Sequence, residues 1–172
     1  MTRAPGRAPV AALAIAAALG ARPGPAHATP VDLPATRATL DLPPTWTPAS
    51  AGGLVVAFRA PGGLALAITR AQVPNPEAWR RKTRDAYAAD IERGVAGSVP
   101  GYRRMRRAVR EFAGVPALEL EARRADGATL VIRILLFRTY ALALAIEVPA
   151  RGDLALARAA AAAFMPGAGP SP

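Results

Sequence analysis

The fold is decided by Tyr102–Val148, YRRMRRAVREFAGVPALELEARRADGATLVIRILLFRTYALALAIEV. Four strand-like runs follow one another here, at about 102–112, 117–124, 128–137 and 140–148. Asp126-Gly127 supplies the turn between the second and third, and Arg138-Thr139 joins the third to the fourth. Along 117–124 the alternation is clean, with Leu118, Leu120 and Ala122 inward and Glu119, Glu121 and Arg123 outward. The runs 130–137 and 140–148 are almost wholly apolar, the pattern of central strands covered on both faces, and Pro149 ends the last. Arg103-Arg104-Met105-Arg106-Arg107, with Arg110 beyond, puts arginine on both faces of its strand and so belongs at a sheet edge. Met105 reads as edge packing.

Upstream, Gly94–Gly101 reads as a loop, preceded by a helix at about 76–93. Asn75 caps that helix, Pro76 suits its first position and Glu77 favours the positive end of its dipole. Trp79, Ala86, Tyr87 and Ile91 form one stripe at a 3.6-residue period, and Gly94 stands at C′. Leu54–Arg59 and Leu64–Arg70 form a hairpin around Ala60-Pro61-Gly62-Gly63. Thr39–Leu42 is a short strand stopped by Pro43-Pro44, Trp46 is a core residue, and 29–37 is a flexible lead-in. Downstream, Asp153 caps a helix running to about Phe164, stopped by Pro166-Gly167. The order implies an α+β domain: an antiparallel sheet of about six to seven strands carrying the 76–93 helix and a C-terminal helix.

Residues 1–28 read as a secretory signal peptide. Arg3 and Arg7 open it, Val10–Leu19 is an uncharged apolar core too short to span a bilayer, and Ala26 and Ala28 are the small residues before a cut at Thr29. The remainder divides into a single domain, 29–165, and a disordered tail, 166–172. The protein is then periplasmic or secreted and not transmembrane in its mature form. Cleavage removes His27, the sole histidine of a 172-residue chain that has no cysteine. Without imidazole or thiol, Ser-His-Asp and Cys-His catalysis, His/Cys zinc sites and disulfides are all excluded. Arg3, Arg7 and Arg22 leave with the leader, taking the formal net charge from +10 to +7. Outside the cytoplasm that excess points away from nucleic acid and toward acidic protein faces, lipid headgroups or lipopolysaccharide.

The element order resembles the PsbP-like fold. The resemblance is carried by Leu40-Asp41-Leu42-Pro43-Pro44-Thr45-Trp46, Gly63-Leu64-Ala65-Leu66-Ala67-Ile68, Gly114-Val115-Pro116-Ala117, the Asp126-Gly127 turn, the paired apolar strands and the short C-terminal helix, over roughly 36–165. It implies a non-enzymatic binding or assembly factor and brings no catalytic, metal or cofactor residue onto this chain. The leading expectation is therefore an exported module that binds an envelope protein or an anionic envelope component. The candidate surface is Arg103, Arg104, Arg106, Arg107 and Arg110. A solely structural role for these arginines, pairing with Glu119 and Glu121 and guarding the edge, competes with it. One alternative is a binder of lipid headgroups or lipopolysaccharide through 103–110. The other is a carboxylate-dependent hydrolase, for which Glu119 and Glu121 face arginines rather than each other across a cleft. Ser98 lacks both a Gly-x-Ser-x-Gly elbow and a histidine to activate it. Trp46, Trp79 and Tyr87 suit a core better than a ligand groove.

Overall fold

The structure, a computed structural model, describes residues 31–33, 36–50, 52–72 and 84–167. Seven strands form the main sheet: β3 (Thr47–Ala49), β4 (Val56–Ala60), β5 (Leu64–Gln72), β6 (Arg103–Phe112), β7 (Val115–Arg123), β8 (Thr129–Leu136) and β9 (Tyr140–Val148). Their order is β3-β4-β5-β9-β8-β7-β6, and each adjacent pair is antiparallel. The two long apolar strands, β8 and β9, lie inside the sheet, and arginine-rich β6 is an edge strand, as the sequence pattern requires. Short turns make the pairing local. Gly62 and Gly63 take φ of 77° and 78° between β4 and β5, and Phe137 N–H bonds to Tyr140 C=O around Arg138-Thr139. At the Asp126-Gly127 turn, Asp126 Oδ1 accepts from the Ala128 N–H while Gly127 adopts a φ of 81°.

Both faces of the sheet are covered. Helix α1 (Arg84–Ser98) lies on β6 and β7, where Ala88, Val95 and Val99 pack with Leu118, Leu120, Leu130, Ile132 and Ile134. Helix α2 (Leu154–Ala163) lies on the other face against β8 and β9, buried through Ala157, Ala160 and Ala161. Beside it, β1 (Val31–Leu33), β2 (Ala38–Leu40) and β10 (Phe164–Pro166) form a small three-stranded sheet in the order β1-β2-β10. This face holds the larger core, in which Trp46, Phe164, Leu33, Leu40, Leu64, Leu66 and Ile68 are fully buried. Asp153 caps α2 as its sequence position predicts, Oδ1 accepting from the Leu156 N–H at 2.9 Å.

The structure corrects several boundaries. Gly94 does not end α1: the helix passes through it to Ser98, shortening the expected 94–101 loop. An interior glycine costs about 1 kcal/mol relative to alanine. Burial of Val95 in the helix and of Val99 just beyond it offsets that, and the chain turns instead at Gly101, with φ 66°. The expected start of that helix at 76, with Asn75, Pro76, Glu77 and Trp79, lies outside the described residues. Its buried stripe is Ala88, Glu92 and Val95, with Tyr87 and Ile91 partly buried beside it. The lead-in is not wholly flexible, because Val31–Leu33 pairs with Ala38–Leu40 and Thr36 is buried with its hydroxyl donating to Leu33 C=O. Phe164–Pro166 is a strand rather than a helix end, and the Gly167 N–H donates to Arg37 C=O at 2.7 Å. Short strands of three residues carry too little periodicity to be read from a sequence. Residues 1–30, including Ala26, Ala28 and Thr29, lie outside the described residues, as do 168–172.

Candidate functional site

The five arginines of β6 divide between the two faces of the edge. A bulge between Arg104 and Arg106 resets the alternation. Arg104, Arg107 and Val109 therefore lie opposite Ala122, Leu120 and Leu118, on the α1 face, while Arg106, Ala108 and Arg110 lie opposite Glu121, Glu119 and Ala117, on the α2 face. Met105 falls in the bulge without a partner on β7 and is 52% exposed, so it projects into solvent rather than packing at the edge. Arg103 also has no ion-pair partner among the described residues.

On the α1 face the organising residue is Glu92, which sequence reading missed. It is buried on α1 and accepts from the Tyr102 hydroxyl at 3.2 Å and from Arg104 Nη1 at 3.2 Å to both carboxylate oxygens. Arg107 Nε stands 3.4 Å from it, and Arg107 Nη2 donates to Asp85 C=O at 2.9 Å. Burial, reinforced by the charge of Glu92 and its hydrogen bond, pushes the Tyr102 phenol up to about 12. This cluster clamps helix to edge strand. The only legible signal was an acid within an otherwise apolar helical stripe, facing a run of arginines.

On the other face, α2 and strands β6–β8 enclose an open cleft of about 440 Å³. Glu119 and Glu121 are not outward residues: because α2 covers this face, both lie in the cleft, and Glu121 is buried. Each carboxylate serves two guanidinium groups. Glu121 holds Arg158 of α2 in a two-pronged contact, from Nε at 2.9 Å and Nη2 at 2.8 Å, with Arg106 Nη1 at 3.7 Å. The paired hydrogen bonds from Arg158 hold the Glu121 carboxyl below its ordinary value, outweighing its burial. Glu119 accepts from Arg133 Nη2 at 2.6 Å and from Arg110 Nε at 3.3 Å.

Arg133, also missed in the sequence, is 7% exposed in the middle of β8. Its Nη1 donates to the carbonyls of Ala162 and Phe164 at 3.0 and 3.1 Å, tying down the C-terminal end of α2, where a cation suits the helix dipole. The guanidinium lies 4.8 Å from the Phe112 ring centroid, and its Nε is buried without a hydrogen-bond partner. The four arginines of the cleft thus face two carboxylates. Among the described residues Arg106 donates no hydrogen bond and Arg110 donates only through Nε, and the side chains of Arg106, Arg110 and Arg158 are each about half exposed.

Glu121, whose carboxyl Arg158 holds below its ordinary value, is poorly suited to donate a proton, which weighs against the hydrolase alternative. Among the described residues no group of His, Cys, Asp and Glu is positioned to hold a metal ion. Ser98 Oγ donates to Val95 C=O, closing the end of α1. Trp46 is fully buried and lines no groove; Trp79 lies outside the described residues. No described helix is long and apolar enough to cross a membrane.

No protein-family model matches the sequence, and no curated protein sequence matches it. Solved structures do. The solution structure of cyanobacterial PsbP (CyanoP) from Synechocystis sp. PCC 6803 is similar with a TM-score of 0.60 over 85% of this chain and 97% of that one, at 14% identity. At that TM-score and coverage the chain has the PsbP-like fold.

Proposed function

We propose that this protein is an exported, non-enzymatic binding or assembly module that engages an acidic component of the envelope through the β6 edge. The observation that carries the reading is the sharing of carboxylates. Glu92, Glu119 and Glu121 each serve two arginines, so edge and cleft retain positive charge and free donors after internal pairing. Edge protection alone needs outward charge, but not guanidinium groups that share carboxylates and keep spare donors around a cleft. The resemblance to a fold of binding factors supports the same reading, as does the leader-like composition of residues 1–28.

The test is capture from envelope extracts at two salt concentrations, comparing wild type with a variant carrying glutamine at Arg103, Arg106 and Arg110, which leaves the Arg104 and Arg107 clamp on Glu92 intact. Binding by these arginines predicts capture that fades with salt, since charges are screened within about 10 Å at 0.1 M, and that is lost in the variant. Unchanged capture with increased light scattering would leave them edge protection alone. N-terminal sequencing of the exported protein should begin at Thr29; an intact Met1 or Thr2 start would refute export.

A further inference from the structure

Outer-edge geometry extends this reading. Among the described residues β6 pairs only with β7, so the N–H and C=O groups on its other side form an open ladder. From Arg106 to Phe112 the strand is regular for seven residues, and Arg106, Ala108, Arg110 and Phe112 share the cleft face. A strand added alongside would place its own side chains directly opposite these, on the same face, at every second position. Residues facing Arg106 and Arg110 would then be four apart, about 13 Å, and the residue between them would face Ala108. This spacing holds whichever way the added strand runs.

We propose that β6 accepts an extended acidic segment of a partner protein as an eighth strand, recognising two carboxylates spaced i, i+4 with a small or apolar residue midway. The donors are in place. Among the described residues Arg106 makes no hydrogen bond, only a 3.7 Å ion pair with Glu121, and both terminal nitrogens of Arg110 are unused, leaving a fork for a two-pronged carboxylate contact. Main-chain pairing supplies affinity and the two acids supply register. The same charges exclude a second copy of β6, whose arginines would face these, so the edge admits an acidic strand while refusing its own kind. The inference rests on the binding reading above but makes a narrower claim.

Fluorescence anisotropy with labelled seven-residue peptides tests it on the full chain. A peptide of Thr and Val with glutamates four apart should bind at least tenfold more tightly than one of identical composition with glutamates three apart, which fall on opposite faces. The double variant Arg106→Gln, Arg110→Gln should lose at least tenfold for the first peptide, and Arg151→Gln, exposed in the turn after β9, less than threefold. Peptides N-methylated at alternating residues separate strand addition from charge attraction: one of the two patterns should abolish binding. Equal affinity for both spacings, or indifference to both methylation patterns, overturns the proposal. So does arginine-dependent retention on phosphatidylglycerol vesicles without peptide binding. Salt-sensitive envelope capture with no peptide binding would leave the broader function standing and remove this one.

Discussion

Replacing Arg133 with methionine tests whether the cleft is held together by a buried charge rather than by packing. The substitution keeps length and apolar bulk but removes the guanidinium from Glu119 and from the Ala162 and Phe164 carbonyls. Removing one partner of a buried ion pair costs about 3–5 kcal/mol. Each freed carbonyl would add to this, since a hydrogen bond to a charged group contributes about 1.5–3 kcal/mol. Two features reduce the sum. Arg110 remains to hold Glu119, and the open cleft admits water to the stranded oxygens. The expected loss is therefore about 3–5 kcal/mol, which at a urea slope of about 1.5 kcal/mol/M moves the midpoint down by about 2–3 M. The second arm adds Glu119→Met. With no acid left to strand, the double variant should lose about 2 kcal/mol less than the two single losses added together. Circular dichroism in urea reads all four proteins. A loss below about 1 kcal/mol for Arg133→Met, or strict additivity in the double variant, would refute the account of Arg133 as the strut between sheet and helix end.

Further outcomes follow from other contacts. Because the folded Glu121 carboxyl is held below the value of about 4.5 expected in the unfolded chain, the unfolded state takes up its proton first as pH falls. Stability present above pH 4.5 is then lost as pH drops through the lower folded value, and urea midpoints between pH 3 and 6 should fall less steeply in Glu121→Gln. Tyr102 should titrate near 12 by its tyrosinate absorbance, and Glu92→Gln should bring it only part of the way back, since burial, the larger cause, remains. Gly101→Ala should cost about 1–2 kcal/mol from the left-handed backbone and more from the collision, its Cβ meeting Ala125 Cβ at 2.6 Å. Gly114→Ala, with φ 77° and nothing within 4 Å, should cost about 1–2 kcal/mol; equal losses at the two glycines would remove the steric part of that reasoning.

Trp46→Ala, at a fully buried core position, should cost about 3–5 kcal/mol by urea unfolding; a loss below 1 kcal/mol would contradict its burial.

The sequence shows the four-strand meander, the edge position of β6 and the Asp153 cap because each rests on local chemistry: alternation, turn residues, a capping side chain. It does not show which face of β7 is dry. Leu118 and Leu120 point to one helix and Glu119 and Glu121 to another, yet simple alternation assigns the glutamates to water. Only the return of α2 across that face buries them, and Arg158, some 37 residues beyond Glu121, is its counterion. Arg133 was hidden for the converse reason, as one charge in a long apolar run whose partners come from β7, α2 and the segment after it. Gly94 misled because glycine ends helices only when the following residues have nothing to bury, and here Val95 and Val99 do. The arginines of β6 were legible as a group. Their division between two faces was not, because it depends on a one-residue bulge.

The small sheet has a consequence for the order in which the molecule assembles. Leu40 of β2 pairs with Phe164 of β10, so the earliest described strands are completed by the last. In the seven-stranded sheet every pair except β5–β9 joins neighbours in sequence, whereas β2 must wait for a partner more than a hundred residues downstream. Such closures are slow because the intervening chain has to be ordered first. Until β10 pairs, Leu33, Leu40 and Trp46 would lack the Phe164 side chain that completes their core. Pairing of Phe164–Pro166 with Ala38–Leu40 would then act as the latch on this core.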